Sequence, residues 1–300
     1  MKVNRLGPII TPDTDPSIGR NINGPSVIRC PRWLENPLGV YYLYFGHHQG
    51  QHIRMAYADQ LSGPWHVRGS GTLDLAETPC HHHIASPDVI LDHARHQIIM
   101  YYHGPVLSDE AIKNDPLTAR YPMLGGQRTL CATSADGIHF ESGSDILGSS
   151  YMRVFPWRGM TYGLAMPGLF YRSRDGFQDF EEGPTLFDDN MRHAGVTIDG
   201  DSLAVYFTNS GDCPERIMRT RIELVDDWTA WQETPPETVL CPDADYEGGL
   251  LDLTPSRRGA VHGPCRQLRD PFVFPDDGGT YLFYAIAGES GIALAEITCE

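Results

Sequence analysis

The chain has 300 residues, of which 41% are hydrophobic and 10% aromatic, so its apolar content supports a large packed core and excludes disordered and fibrous classes. Its 31 glycines and 23 prolines predict many short elements rather than long helical bundles. A net charge of −16 predicts an acidic surface that repels phosphate groups, which argues against nucleic acid and anionic membranes as partners.

Cysteine usage and hydropathy bear on location. Residues 1–19 contain no apolar run of signal-peptide length, and no segment approaches the roughly 20 apolar residues of a membrane span. The cysteines are widely spaced and form no Cys-x-x-Cys pair, a pattern typical of reduced thiols. They are Cys30, Cys80, Cys131, Cys213, Cys241, Cys265 and Cys299. We therefore expect a cytoplasmic protein without a disulfide framework or a structural zinc site.

One pattern occurs five times along the chain: two short runs of β-branched and aromatic residues joined by a turn of Gly, Asp or Pro. Such a pair is typical of a β-hairpin. The first runs begin near residues 23, 85, 150, 191 and 268. Third runs follow in most repeats, and fourth, outer strands are predicted at 61–67, 136–142, 175–181 and 226–232. The segment SDEAIKND (108–115) is the best candidate for a helix.

Four strands repeated radially form the blades of a β-propeller, so the sequence predicts an all-β, five-bladed propeller as a single domain over residues 1–300. The blades are expected at about 23–68, 85–142, 150–183, 191–233 and 268–298. The fifth repeat ends after its third strand. We expect strand 4–10 to complete that blade and close the ring, because an open blade would leave an exposed edge. A pair of β-sandwiches is the alternative, and the fivefold repetition argues against it.

In a propeller the first strand of every blade lines the central channel, so equivalent positions of distant repeats converge on the axis. Aligning the first strands on their apolar residues places five positions in one ring: Gly24, Ser86, Met152, His193 and Asp270. Because side chains alternate along a strand, Ser26, Asp88 and Gly195 share the orientation of that ring. Strong polar groups are concentrated in some blades, which a purely structural ring does not require.

The segment LRDPFVF (268–274), followed by GGTYLFYA, resembles the Arg-Asp-Pro first-strand motif of glycoside hydrolase family 43. GPSVI, SPDVI and the Ser-x-Asp-Gly hairpins are similar to its other blades, and families 32, 68 and 117 are related to it. The strand pattern resembles that of the family over nearly the whole chain, whereas the catalytic motifs match only in part. It implies an inverting hydrolase with an Asp general base, a second Asp that tunes a pKa, and a Glu general acid.

Carried over by motif, the resemblance assigns three catalytic residues. Asp270 matches the base, although Gly24 stands in the first blade where the family has that Asp. Asp88 in SPDVI resembles an orienting or pKa-setting Asp, and Glu247 in YEGG is a loose match to the acid, which in the family precedes Gly-Pro. The neighbouring Arg269 predicts a lowered pKa for Asp270 and therefore an ionised base. Inversion needs two carboxyl groups roughly 6.5–9.5 Å apart, which opposite walls of a channel mouth can provide.

Further polar residues are candidates for substrate binding. Glu215 and Glu289 follow second strands and are alternative acids. Histidines end second strands or precede first strands at His48, His83, His103 and His193. Arg153, Arg192 and Arg269 are able to contact hydroxyls or a carboxylate, so an acidic sugar is consistent with the sequence. Several aromatic residues, among them Tyr151, Phe155 and Trp157, are candidates for stacking against a sugar ring.

The first hypothesis is a glycoside hydrolase that acts on a short oligosaccharide by single displacement. This chemistry requires no cofactor. The resemblance also allows a cation on the axis that is held by a histidine. The run from Cys80 to His83 offers metal-ligand types, but adjacent strand residues point to opposite faces, so no metal ligands are assigned. The alternatives are a non-catalytic propeller that binds carbohydrate or protein, and a sugar lyase or isomerase in which a His or Tyr removes a carbon-bound proton.

Overall fold

The chain folds into five four-stranded antiparallel sheets, and the computed structural model describes residues 1–298 of it. The first strand along the chain is β1 (Lys2–Ile10). Blade 1 then contains β2 (Asn23–Arg29), β3 (Tyr41–Gly46), β4 (His52–Ala58) and β5 (His66–Asp74). Blade 2 contains β6 (Ala85–Asp92), β7 (Gln97–Pro105), β8 (Gln127–Ser134) and β9 (Glu141–Ser142).

The remaining blades repeat the same up-and-down order. Blade 3 contains β10 (Arg153–Trp157), β11 (Met160–Ala165), β12 (Leu169–Ser173) and β13 (Glu181–Thr185). Blade 4 contains β14 (Met191–Asp199), β15 (Ser202–Asn209), β16 (Ile217–Glu223) and β17 (Glu237–Leu240). Blade 5 contains β18 (Arg269–Asp276), β19 (Gly279–Ala285) and β20 (Ile292–Thr298).

Strand β1 supplies the fourth strand of blade 5. It pairs antiparallel with β20, in a register that runs from Lys2 opposite Thr298 to Ile10 opposite Ile292. The first strand of each blade contacts the first strands of both neighbouring blades, so the five sheets surround one axis. The predicted all-β, five-bladed propeller and its closure by the N-terminal strand are therefore confirmed. Closure pairs the edge that β20 would otherwise expose.

The outer strands lie later in the sequence than predicted. Strand β5 begins at His66 and β13 at Glu181, near the ends of the predicted runs, and only Glu141–Ser142 of the run 136–142 is a strand. In blade 4 the predicted strand 226–232 is a turn that contains a 3-10 helix, Trp228–Ala230. The Asp227 carboxylate caps it by accepting a hydrogen bond from Thr229 N, and local bonds of this kind favour turns over extended chain.

Each interface between neighbouring blades holds its own hydrophobic cluster. Tyr44 of β3 and Met100 of β7, for example, pack in one cluster between blades 1 and 2. Four further clusters lie between the other adjacent pairs of blades. Side chains that alternate along a strand face the two neighbouring sheets in turn. The cores therefore occupy the spaces between the sheets, which leaves the axis free for polar residues.

The repeated Ser-x-Asp-Gly phrase fastens one blade to the next. In SADG, the Ser134 hydroxyl accepts a hydrogen bond from Gly137 N at 2.8 Å, which closes the turn. Tyr44 of blade 1 donates its hydroxyl to the carbonyl of Gly137 at 2.7 Å. In SRDG, the carbonyl of Gly176 accepts the hydroxyl of Tyr101 of blade 2 at 2.9 Å in the same way. The phrase is therefore a structural repeat.

Helices are short and lie in the connections. The predicted helix at 108–115 is present as α1 (Asp109–Asn114), capped by the Ser108 side chain, and α2 (Pro116–Arg120) follows it directly. The 3-10 helices are Pro16–Ile18, Leu75–Glu77, Pro122–Leu124, Trp228–Ala230 and Asp245–Glu247. Among residues 1–298, none of these helices has the length and apolar character needed to cross a bilayer. Six cysteines of the described chain are free thiols, and Cys299 lies outside the described residues.

Candidate functional site

Five equivalent residues with left-handed backbone surround one end of the axis and are called the axial ring here. They are Gly24, Ser86, Tyr151, His193 and Asp270, with φ angles from 49° to 60°. In blade 3 the member is Tyr151 and not the predicted Met152, because the residues that lead into β10 are irregular and shift the alignment by one position. Left-handed backbone costs a residue other than glycine roughly 1–2 kcal/mol. Four blades nevertheless carry a side chain at this position.

The axial ring opens onto a cavity of about 150 Å³, called the axial cavity. Four side chains of the ring line it, those of Ser86, Tyr151, His193 and Asp270. Other polar residues of its wall come from strand ends and loops: His48, His83, His103, Arg192, Arg258 and Glu289. A volume near 150 Å³ is enough to hold one six-membered ring. The cavity therefore gathers residues that are up to 266 positions apart in the chain, Asn23 and Glu289, around a space for a single small molecule.

Asp270 is fixed in the floor of the axial cavity by Tyr151. The Tyr151 hydroxyl donates a hydrogen bond to Asp270 Oδ1 at 2.7 Å, and both side chains are buried. His193 Nδ1 lies 3.4 Å from the same oxygen without forming a hydrogen bond, and within residues 1–298 this buried nitrogen has no other partner. Oδ1 is thus occupied, whereas Oδ2 accepts no side-chain hydrogen bond from the described part of the chain and is able to hold a proton.

The pKa of Asp270 is raised to about 6. Burial is the main cause, and the negative charge of Glu289 adds to it, whereas Tyr151, Arg269 and Arg192 act in the opposite direction. The expectation that Arg269 would lower this pKa overall is wrong. The Arg269 guanidinium donates to the Gln267 side chain and to Glu289, with Nη1 2.8 Å from Glu289 Oε1. Arg269 therefore forms an ion pair with Glu289 and not with Asp270.

Glu289, the second carboxylate of the axial cavity, is surrounded by donors. Its Oε1 accepts from Arg269 Nη1 and lies 3.4 Å from His48 Nδ1, and its Oε2 accepts from Asn21 Nδ2 at 2.6 Å. The backbone is also held, because Ile22 N donates to the Glu289 carbonyl at 2.7 Å. Although burial opposes it, the bonds from His48, Arg269 and Asn21 lower the pKa of Glu289 to about 2. Two carboxyl groups of one cavity therefore have pKa values shifted in opposite directions.

The four predicted histidines all line the axial cavity. Burial lowers the pKa of His103 to about 3 and that of His193 well below its usual value, and it also lowers the pKa of His83. His103 Nδ1 accepts a hydrogen bond from Tyr151 N at 3.3 Å, so the proton of its neutral ring is on Nε2. Neutral imidazoles both donate and accept hydrogen bonds, which suits the hydroxyl groups of a sugar.

Arg153, predicted to bind substrate, lies beneath the cavity floor and fills the axis. Its guanidinium donates to the carbonyls of Pro25, Pro87 and Ala194 at 2.7–3.3 Å, and it lies 5.5 Å from the ring centre of Phe272. With its own strand β10, Arg153 contacts all five blades. The side chain is 1% exposed and is separated from the cavity by Tyr151, whose ring centre lies 5.0 Å away.

Asp88 is the ion-pair partner of Arg153 and also lies away from the axial cavity. Its Oδ1 is 3.2 Å from Arg153 Nη1, and its Oδ2 accepts from Val154 N at 2.7 Å. Asp88 lines a separate pocket at the opposite end of the axis, called the lower pocket. The structure therefore does not bring Asp88 together with Asp270 on one side of the floor.

Two predicted acids are engaged elsewhere. Both oxygens of Glu247 bind Arg5, at 2.9 and 3.1 Å, and the Tyr284 hydroxyl donates to Oε1 at 2.8 Å. Glu247 thereby ties the loop after blade 4 to blade 5 and does not line the axial cavity. Glu215 is completely buried and forms a two-point ion pair with Arg192, while Arg269 Nε lies 3.3 Å away. It supports the cavity wall from behind.

The residues present do not fit an axial cation. The carbonyls that face the axis already accept from the Arg153 guanidinium, so a second positive charge would lie against the first. In the described part of the chain, no three His, Cys, Asp or Glu side chains converge in a way that would hold a metal ion. His83 reaches the axial cavity, but His81 and His82 of the same run are exposed.

Only one of the three aromatic candidates lines the axial cavity, and one arginine lines it without having been predicted. Tyr151 belongs to the cavity, whereas Phe155 and Trp157 pack in the core between blades 3 and 4. Arg258 lines the cavity and was not predicted. It lies in the long loop between blades 4 and 5, outside any repeat, so only its position in three dimensions identifies it. A wall residue on such a loop has no alignment partner in the other blades.

Comparison with known structures places the fold. No family model matches the sequence. A structure described as a glycoside hydrolase aligns over 99% of this chain and 92% of its own, with a TM-score of 0.66 and 14% identity. The GH43_1 enzyme from Xanthomonas citri complexed with xylose aligns over 98% and 91%, with a TM-score of 0.62 and 9% identity. An exo-1,5-alpha-L-arabinanase from a bovine ruminal metagenomic library aligns over 93% and 94%, with a TM-score of 0.59 and 11% identity.

These similarities define the class of the protein as a five-bladed propeller with the fold of glycoside hydrolase family 43, and the resemblance noted in the sequence is confirmed at that level. A closer relative exists in sequence. "Uncharacterized protein R118" of Acanthamoeba polyphaga mimivirus is 39% identical over 311 residues, which cover 92% of this chain and 83% of the viral protein. The chain belongs to the same family as R118.

Proposed function

We propose that the protein is a glycoside hydrolase that cleaves a short oligosaccharide in the axial cavity. The observation that carries this proposal is the pair Asp270 and Glu289, two carboxyl groups of one cavity whose pKa values are shifted to about 6 and about 2. Glycoside hydrolysis needs one carboxyl group that keeps its proton and one that is ionised. Opposite pKa shifts within one site are the usual sign of such a division of roles.

In this proposal Asp270 is the general acid and Glu289 the ionised partner. Tyr151 occupies Oδ1 of Asp270, so the proton on the second oxygen passes to the oxygen of the leaving group as the glycosidic bond breaks. Glu289 accepts the proton of an attacking water molecule, and His48 beside its Oε1 helps to orient that water. Single displacement, with inversion at the anomeric carbon, follows from the family 43 resemblance. Relative to the sequence-based hypothesis, Asp270 changes from base to acid.

The fold and the wall of the cavity support the same substrate class. Structural neighbours over nearly the whole chain include a glycoside hydrolase, an arabinanase and an enzyme with bound xylose. The cavity has room for one ring, and neutral histidines supply donors and acceptors at several points of its wall. A single sugar residue at the end of a short chain fits these features. Cytoplasmic location stays a prediction.

The test is hydrolysis of a panel of aryl glycosides and oligosaccharides by the wild-type protein, Asp270→Asn and Glu289→Gln. We expect both variants to lose 10²–10⁴-fold in kcat, the usual contribution of a general acid or base. If Asp270 is the acid, its variant loses much less on a 2,4-dinitrophenyl glycoside, because that leaving group departs without protonation. Glu289→Gln is expected to lose activity equally on good and poor leaving groups.

Asp199→Asn is the matched control, because Asp199 is exposed at the far end of β14. It should retain wild-type turnover. Equal losses for Asp270→Asn on all leaving groups would remove the acid role, and full activity in both cavity variants would remove the site. Proton magnetic resonance of the first product formed then shows whether the anomeric configuration inverts.

A non-catalytic sugar-binding propeller is the second candidate. It is favoured by the engagement of Glu215 and Glu247 in ion pairs away from the cavity, which leaves few carboxylates for chemistry. Calorimetric binding of a sugar without any product would support it. The lyase or isomerase alternative has less support, because His103 Nδ1 already accepts a hydrogen bond from Tyr151 N and the Tyr151 hydroxyl keeps its proton in the bond to Asp270.

A further inference from the structure

The three arginines around the axial cavity, Arg192, Arg258 and Arg269, differ in whether a carboxylate pairs with them. Arg192 is neutralised by its two-point ion pair with Glu215, and Arg269 by Glu289, 2.8 Å from its Nη1. Arg258 also lines the cavity, and within residues 1–298 no carboxylate lies in ion-pair distance of it. Its Nη2 donates instead to the backbone carbonyl of Asp189, a contact that fixes the guanidinium without cancelling its charge.

Arg258 is placed to meet a ligand rather than bulk water alone. The residue is half-buried beside His193 and Arg192. Burial and the positive charge of Arg192 lower the pKa of its guanidinium, although the more distant charges of Asp189, Glu215 and Asp188 act in the opposite direction. A partly desolvated cation without a counter-ion is unfavourable unless an anion joins it. Guanidinium groups bind carboxylates with two parallel hydrogen bonds, which gives such an anion a defined orientation.

We propose that the sugar ring bound in the axial cavity carries a carboxylate, and that Arg258 is the residue that binds it. This assigns uronic acids as the substrate class and rests, for turnover, on the proposed hydrolase function. A cavity of about 150 Å³ holds one sugar ring with a compact carboxylate more readily than one with a bulkier sulfate ester. The neutral histidines on the wall then bind the remaining hydroxyl groups.

The first experiment compares matched 4-nitrophenyl glycosides that differ only at carbon 6: glucuronides with glucosides, and galacturonides with galactosides, in both anomers. A charge-assisted hydrogen bond is worth about 1.5–3 kcal/mol, or roughly 10–150-fold in kcat/KM. We expect the wild-type protein to prefer a uronide over its neutral partner by a factor in this range. We expect Arg258→Gln to bring that ratio close to one.

Arg257→Gln is the matched control, because Arg257 is exposed and contributes only its backbone carbonyl to Arg192 and Arg269. It should keep the wild-type ratio, and circular dichroism of both variants verifies that they fold. A wild-type protein that hydrolyses neutral glycosides as well as uronides overturns the proposal, and so does an unchanged ratio in Arg258→Gln. Both results leave the hydrolase function standing.

Direct binding separates the two proposals further. Calorimetry with D-glucuronate, D-galacturonate, D-glucose and glucose 6-sulfate is carried out on wild type and Arg258→Gln. Uronate binding that depends on Arg258, in a protein that cleaves no glycoside, supports the carboxylate site and overturns the hydrolase. Tighter binding of glucose 6-sulfate than of both uronates overturns the carboxylate assignment. If none of the four sugars binds, the substrate class is wrong.

Discussion

The two ends of the propeller axis are built from the same five strands and differ in how their polar groups are satisfied. At the lower end, Arg153 and Asp88 bind each other and the surrounding backbone, and the pocket beyond them is lined largely by apolar residues such as Val27 and Phe272. At the upper end, His193 Nδ1 has no partner in the described chain and Arg258 has no counter-ion there.

This difference separates a structural end from the end at which we propose binding. A buried polar group without a partner costs about 1–3 kcal/mol, so a protein retains one mainly where a ligand completes it. Arg153 and Asp88 complete each other and need no ligand. The axial ring is only two residues away along each strand, yet its side chains are strained, titratable and partly unpaired. The groups on which the proposed function depends are therefore departures from the repeat.

The lower end is expected to dominate stability. Arg153→Met removes the guanidinium that contacts all five blades and leaves Asp88 buried without its ion-pair partner. Breaking a buried ion pair in this way costs about 3–5 kcal/mol. Urea unfolding at neutral pH measures the change in the free energy of unfolding.

Two further variants serve as controls for the loss of stability in Arg153→Met. Arg95→Met breaks an exposed ion pair with Asp92 and should cost less than about 1 kcal/mol. Adding Asp88→Asn to Arg153→Met should recover part of the loss, because the unpaired charge disappears. A loss in Arg153→Met no greater than in the surface control would contradict the structural role of this end.

At the upper end, removal of a charge is expected to stabilise the protein, whereas at the lower end it destabilises it. The pKa of Asp270 is raised from 3.8 to about 6 in the folded protein, so folding is favoured while the carboxyl is protonated. That contribution is complete below about pH 4 and is lost as the pH rises through about 6. Asp270→Asn is therefore expected to be more stable than wild type at pH 8, by at most about 3 kcal/mol, and similar to it at pH 4.

Thermal unfolding at several pH values provides the measurement, with Asp199→Asn as an exposed control whose effect should not change with pH. The groups that face Asp270 are Tyr151, His193, Glu289, Arg192 and Arg269, and all of them stay in place in the variant. A variant that is less stable than wild type at pH 8 would show that Asp270 has a structural role, which would remove the contrast between the two ends.

The smallest effects are expected at the repeated Tyr–turn bonds between blades. Tyr44→Phe and Tyr101→Phe each remove one hydroxyl that donates to the carbonyl of a Ser-x-Asp-Gly turn. Each should cost about 1 kcal/mol. Because the two sites are equivalent, each variant is the control for the other in urea unfolding. Costs that differ by more than about 1 kcal/mol would mean that the repeats are not structurally interchangeable.

The fold could be predicted because it depends on local patterns that recur. Alternating apolar residues, turn glycines and the unfinished fifth repeat together specified the blade count and the closing strand β1. Outer strands were predicted too early, since Asp227 and the Ser-x-Asp-Gly turns form local hydrogen bonds that delay the extended chain. The one-residue error at Tyr151 arose because β10 begins irregularly and its alignment with the other repeats is weak.

The candidate site could be predicted only in part. The repeat alignment brought His193 and Asp270 to the axis, and strand ends identified His48, His103 and Glu289. The repeat alignment could not separate the upper end of the axis from the lower end, so it grouped Asp88 and Arg153 with residues on the other side of the cavity floor. Nor could it show that Glu247 pairs with Arg5, a residue 242 positions away.

By itself the sequence determined the five repeated sheets, their closure and the residues that meet near the axis, because these follow from periodicity and from turn chemistry within short segments. Only the tertiary structure decided the charge states and the partners. The pKa of Asp270 depends on how deeply it is buried and on Glu289, and the exposure of Arg258 to the cavity depends on the path of a long loop. Burial and ion pairing are properties of the distances between chain segments, and those distances exist only after the ring has closed.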